Sequence, residues 1–160
     1  MANRDAQVLA PLFGRDLRLL YALGGGFFED ADLATGKPAE GARRQRDLLL
    51  SDGLDNLTQA IANRLKTRKG ELASLGHPDY GSRHHELIGE PNVDRTRNLI
   101  KLYVLQALRD EPRLERVLSV TVTAEHEPPR DVVRIEVRAR VIGEPAPLNL
   151  VVPFSLGVGL

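Results

Sequence analysis

With 160 residues, 42% of them hydrophobic, the chain has the size of one ordinary domain able to bury a core without staples. It has no cysteine, which excludes disulfides, thiolate chemistry and cysteine-ligated zinc, and its 22 basic residues balance 22 acidic ones. That balance, with aromatics at 4%, speaks against nucleic acid as a partner, and the lack of any run of about 18 apolar residues or of a basic-then-apolar start predicts a soluble protein made in the cytoplasm, without membrane span or secretory signal.

In chain order, the amphipathic stretch Val8 to Leu23 gives way to Gly24-Gly25-Gly26, then to Thr35-Gly36-Lys37-Pro38 and the basic run Arg43, Arg44 and Arg46. Glycines, a proline and scattered charge argue against a packed core. Residues 1–50 are therefore expected to form an extended N-terminal arm with one or two short elements that orders against a neighbour. Behind Ser51 and Asp52, either of which suits an N-cap, Leu54, Leu57, Ile61 and Leu65 recur at helical spacing. This predicts a helix from about Gly53 to Arg68, stopped by Gly70. Leu75 to Asn92 carries Gly76, Pro78, Gly81, Gly89 and Pro91 and reads as loop, with one short turn at His84 to Ile88. A second helix starts near Asn92, with Val93, Thr96, Ile100, Tyr103, Val104 and Ala107 on one face, and Pro112 ends it.

The last third changes to a period of two. Leu118, Val120, Val122 and Ala124 alternate with Ser119, Thr121 and Thr123, and Pro128-Pro129-Arg130-Asp131 turns the chain. Val133, Ile135, Val137, Ala139 and Val141 then alternate with Arg134, Glu136, Arg138 and Arg140. This predicts an antiparallel hairpin with one apolar face, followed by a short third strand from Leu148 to Phe154. The expected fold class is α+β, with two main helices packed on a small antiparallel sheet in a domain spanning 51–160. One edge of that sheet is expected to be open to pairing with another chain.

The order of short motifs is more specific than any single one. Gly14-Arg15-Asp16-Leu17 comes first, and the first helix ends in Arg64-Leu65-Lys66-Thr67-Arg68-Lys69-Gly70-Glu71. Pro78-Asp79-Tyr80-Gly81-Ser82, a helix closing on Glu111-Pro112-Arg113, and the hairpin follow. In this order the chain resembles the gene-25-like family, which contains the baseplate wedge subunit of contractile phage tails and its counterparts in type VI secretion and extracellular injection particles. The resemblance runs from Leu54 to Phe154 with an echo at Gly14 to Leu17, and the insertion Gly24 to Arg46 departs from the pattern. It implies a structural subunit, not an enzyme, assembled into each wedge of a sixfold baseplate. Other wedge proteins, the sheath protein and central spike or hub proteins are the implied partners.

Proline at 112 fixes the bend between helix and strand, so Glu111 and Arg113 leave the backbone in set directions, and Arg113 offers a fork for carboxylates or carbonyls. A helix stop with two solvated charges is the plainer alternative; the resemblance implies instead that the tripeptide holds the subunit on the wedge core bundle. Leu148, Leu150 and Val152 mark the strand whose edge would pair with sheath. Arg134, Arg138 and Arg140 form a stripe that either meets an acidic partner or is solvated.

A second function class is a lysozyme-like enzyme that cleaves peptidoglycan, since the family was long labelled lysozyme-like. Glu71 suits that reading, but a glycosidase needs a carboxylate pair, and Glu29, Asp30, Asp32, Asp79, Glu86 and Glu90 are equally eligible seconds. A peptide-binding adaptor is a third class. His77, His84 and His85 share one loop without zinc-ligand spacing and are expected to be solvated, and Tyr80-Gly81 is expected to turn the chain with the ring packed on sheet or helix. Gly24-Gly25-Gly26 lacks the following residues of a phosphate loop, and no cofactor or metal is expected.

Overall fold

In a computed structural model, the described residues are 13–20, 32–37, 47–125 and 130–157. The chain divides into two compact units, Met1–Ala60 and Ile61–Leu160, and the boundary falls inside helix α1, Gly53–Lys66. The glycine run Gly24-Gly25-Gly26, the basic run Arg43, Arg44 and Arg46, and half of Val8 to Leu23 lie outside the described residues.

Among the described residues of the first unit, six very short strands form three antiparallel ladders. Strand β1 (Arg15–Leu17) pairs with β6 (Leu50–Asp52), β2 (Leu19–Leu20) with β3 (Asp32–Leu33), and β4 (Thr35–Gly36) with β5 (Asp47–Leu48). Between them, three residues close a ring of backbone hydrogen bonds. Arg18 N–H donates to Leu49 at 2.8 Å, Leu49 N–H to Ala34 at 2.9 Å, and Ala34 N–H to Arg18 at 2.8 Å. The chain leaves each ladder at its junction residue, which is why none of these six strands exceeds three residues. Two buried amides of α1 complete the junction. Asn56 Nδ2 donates to the Phe13 carbonyl at 2.8 Å. Gln59 behaves as a short piece of strand, donating through Nε2 to Leu17 O and accepting from Leu19 N–H, both at 2.8 Å.

Helix α1 has the expected stripe: Leu57, Ile61 and Leu65 are fully buried, while Leu54 in its first turn is exposed. The helix stops at Lys66, and the chain loops out and returns beside its end. Ser82 N–H donates to Thr67 O at 2.9 Å, Lys69 N–H to Ser82 O at 3.1 Å, and Gly70 N–H to Tyr80 O at 3.4 Å. Gly70 thus lies in this loop rather than at the helix end, with φ +85°. Two 3-10 turns follow, Ala73–Leu75 and Arg83–Leu87.

Helix α2, Asp94–Arg109, buries Thr96, Ile100, Val104, Ala107 and Leu108 and packs against the second 3-10 turn and the first strand of the sheet. That sheet has the order β7-β8-β9, with β7 Leu114–Ala124, β8 Val132–Val141 and β9 Leu148–Ser155. Along β8 the burial alternates as the sequence predicts, with Val133, Ile135, Val137 and Ala139 fully inside. The α+β class holds. Leu118 differs: it is exposed, because the β7–β8 register shifts between Val117 and Ser119 and a one-residue slip moves a side chain to the other face.

His77 is exposed as expected, but the other two histidines of this loop differ. His84 is not solvated but 1% exposed, its Nδ1 2.7 Å from Ser82 Oγ and its ring edge-on to Phe154. His85 stacks on it and donates Nε2–H to the Leu65 carbonyl at 2.8 Å. Burial, with the neighbouring His85 adding to it, pushes the His84 pKa down to about 3, so this imidazole is a neutral core group. Among the described residues no group of three or more histidines, aspartates or glutamates is placed to hold a metal.

Candidate docking corner and sheet edge

The corner after α2 is a β-turn with Pro112 at its second position, closed by Leu114 N–H donating to Glu111 O at 3.1 Å. Ile142 N–H donates to Arg113 O at 3.2 Å and ties the turn to the end of β8. The turn folds the Arg113 fork back onto its own chain. Nε lies 2.5 Å from Glu111 Oε1 and Nη2 3.0 Å from Oε2, a bidentate pair. The two solvated charges of the plainer alternative do not describe this, for the Glu111 side chain is only 3% exposed and the carboxylate in the Arg113 fork is that of its own neighbour.

A second guanidinium, Arg64 from the last turn of α1, approaches Glu111 Oε2 at 3.6 Å and lies over the Tyr80 ring at 4.6 Å from its centroid. Arg64 Nε is buried with no hydrogen-bond partner. Burial alone would raise the Glu111 pKa, but the hydrogen bonds and charge of Arg113, with the charge of Arg64, hold it below the ordinary carboxylate range. Glu111 in turn raises the Arg113 pKa, and burial raises that of Tyr80 against the opposing pull of Arg64. The result is a preformed block in which two guanidiniums share one carboxylate and Pro112 is exposed at the tip.

Tyr80 reaches this block because Gly81 brings the chain against the end of α1. Gly81 has φ +100°, and a Cβ there would sit 2.7 Å from the carbonyl oxygens of both Thr67 and Arg68. Arg64 and Tyr80 were visible in the sequence only as letters within longer motifs. No periodicity singles out a lone arginine on a helix.

In β9, Leu148 and Val152 are buried and Leu150 half-buried, so the conspicuous apolar side chains face the core. Leu156 N–H donates to Asp131 O at 2.8 Å, which sets the parity: even-numbered residues turn their backbone toward β8 and odd-numbered ones toward the open edge. Asn149 and Val151 therefore turn their N–H groups away from β8, to an edge that no other described strand pairs with, and Pro153, having none, sits where its nitrogen faces outward. Arg134, Arg138 and Arg140 line the outer face of β8, where Arg134 pairs with Glu136 at 3.4 Å.

Three of the acids considered for catalysis have other occupations. Glu71 Oε2 accepts from Arg68 N–H at 3.0 Å, Asp79 lies 3.6 Å from Lys69, and Glu86 is held by Arg83 at 2.8 Å. Glu29, Asp30 and the side chain of Asp32 lie outside the described residues.

The family model for baseplate wedge protein gp25 matches residues 51–146, which takes in both helices, the corner and the β7–β8 hairpin and stops before β9. A crystal structure from Geobacter sulfurreducens, whose provisional name is tail lysozyme, is 31% identical with a TM-score of 0.58, over 68% of this chain and 96% of that one. No curated protein matches the chain significantly. No helix among the described residues is long and apolar enough to cross a membrane. By the family match and the shared fold, the chain belongs to the gp25 family of baseplate wedge proteins, structural components of phage-tail baseplates that work with other baseplate proteins.

Proposed function

We propose that this subunit acts by docking rather than catalysis, holding other wedge proteins through the Glu111-Pro112-Arg113 corner and accepting a sheath strand along β9. The observation that carries this reading is the contrast between the two sheet edges. Strand β7 has two register irregularities, which twist an edge away from further pairing. Strand β9 pairs with β8 in unbroken register from Leu148 to Ser155, and Val151 on its open side is 45% exposed. Pro153 ends the run of donors, so an added strand would pair along Leu148 to Val151.

The corner supports docking in a different way. Its charged groups are locked together before any partner arrives, so little ordering entropy is lost on binding, and it carries one more guanidinium than carboxylate. Peptidoglycan cleavage finds no comparable support, since Glu71, Asp79 and Glu86 are each engaged by a backbone amide or a basic side chain.

Val151→Pro tests the edge. It removes an outward N–H that β8 does not use, so the subunit should stay folded and baseplates should form while sheath fails to polymerise on them. Leu150→Pro breaks the ladder to Val137 and should cost about 3 kcal/mol, serving as the control for damage to the fold itself. Full-length sheaths in electron micrographs of particles carrying a stably folded Val151→Pro subunit would refute strand addition here.

A further inference from the structure

We propose that the outer face of the three-stranded sheet is a docking surface for an acidic protein segment, with Arg116, Arg138 and Arg140 as its recognition groups. Arg134, Glu136, Arg138 and Arg140 are the exposed positions of β8, and Arg116 is exposed on β7. Arg116 lies directly opposite Arg140 in the register. Directly opposed side chains in an antiparallel pair have Cβ atoms about 5 Å apart, where like charges destabilise the sheet. Arg138 stands two residues along on the same face. Arg134 and Glu136 pair with each other, but among the described residues no acidic group pairs with Arg116, Arg138 or Arg140. The chain as a whole is neutral, with 22 basic and 22 acidic residues, so this concentration does not reflect a generally basic protein.

Elsewhere β7 places uncharged partners opposite charged β8 residues: Ser119 against Arg138, Thr121 against Glu136, Thr123 against Arg134. The Arg116–Arg140 pair works against the stability of the free sheet, and carboxylates from a partner would relieve it. A protein segment fits better than nucleic acid. Phe154 on the adjoining β9 is buried, no aromatic residue is exposed on these three strands to stack a base, and Glu136 within the row repels a phosphate chain. Arg138 and Arg140 are about 6.7 Å apart along the strand, the repeat of alternate side chains in an extended acidic segment. This surface uses side chains on a sheet face and is independent of the β9 edge and of the corner.

The test uses the full chain and a fluorescently labelled peptide of about ten residues with alternating glutamate and threonine, matching the two-residue repeat of the face. Anisotropy titration at low salt should show binding that weakens as salt screens the charges. Combined Arg138→Thr and Arg140→Thr, which keeps strand-compatible residues, should weaken it about fivefold or more. Arg116→Glu, placed opposite Arg140, should weaken binding while leaving the melting temperature at or above that of the unmodified protein. Equal peptide affinity in the double-threonine variant would overturn the proposal, as would tighter binding of a single-stranded oligodeoxynucleotide of the same charge.

Discussion

Gly81 occupies a left-handed backbone conformation beside two carbonyl oxygens that leave no space for a Cβ. Gly81→Ala should therefore cost about 3 kcal/mol, from the φ penalty together with displacement of the crossing chain, and urea unfolding would measure it. Glu111 is the other residue whose neighbours leave little latitude. Glu111→Gln keeps the shape but leaves Arg64 and Arg113, both largely buried, without their shared counter-charge. The expected loss is about 2 kcal/mol. A double-mutant cycle with Arg113→Gln should show favourable coupling between the two positions, and a coupling energy near zero would mean that the corner is held by something else.

Helices α1 and α2 and the β7–β8 hairpin were readable because each shows a clear period against water. Leu57, Ile61 and Leu65 repeat at helical spacing, and Val133, Ile135, Val137 and Ala139 at a spacing of two. The strands of the first unit, two or three residues each, are too short to show any period, so a composition rich in glycine and charge read only as an arm. The bulge that exposes Leu118 is equally silent, because register depends on the partner strand. The element that holds the junction is α1, through Gln59. Gln59→Ala should leave Leu17 O and Leu19 N–H unsatisfied, at a cost of about 2 kcal/mol. Hydrogen exchange at the Leu19 amide should accelerate in that variant while the amides of β8 keep their protection.

At the scale of the molecule, stability should fall in acid. The His84 pKa is about 3 in the fold against an ordinary 6.5, so the unfolded chain takes up a proton first as the pH drops. The stability tied to neutral His84 is complete above pH 6.5 and is lost progressively from there toward pH 3, at about 1 kcal/mol per pH unit. Glu111, with its pKa held low, acts in the same direction at lower pH, losing its contribution as it protonates. Urea unfolding at neutral pH and near pH 5 should show this slope, and His84→Leu should flatten its upper part. An unmodified protein equally stable at both would contradict it. By itself the sequence determined the α+β class, the two main helices, the hairpin and, through the order of its motifs, the family, because these depend on local pattern. The tertiary structure decided that Arg113 turns back on Glu111 beside Arg64 and Tyr80, that His84 is a core residue, and which backbone groups of β9 face away from β8. Each of these depends on partners distant in the chain and on burial, and neither leaves a period in the sequence.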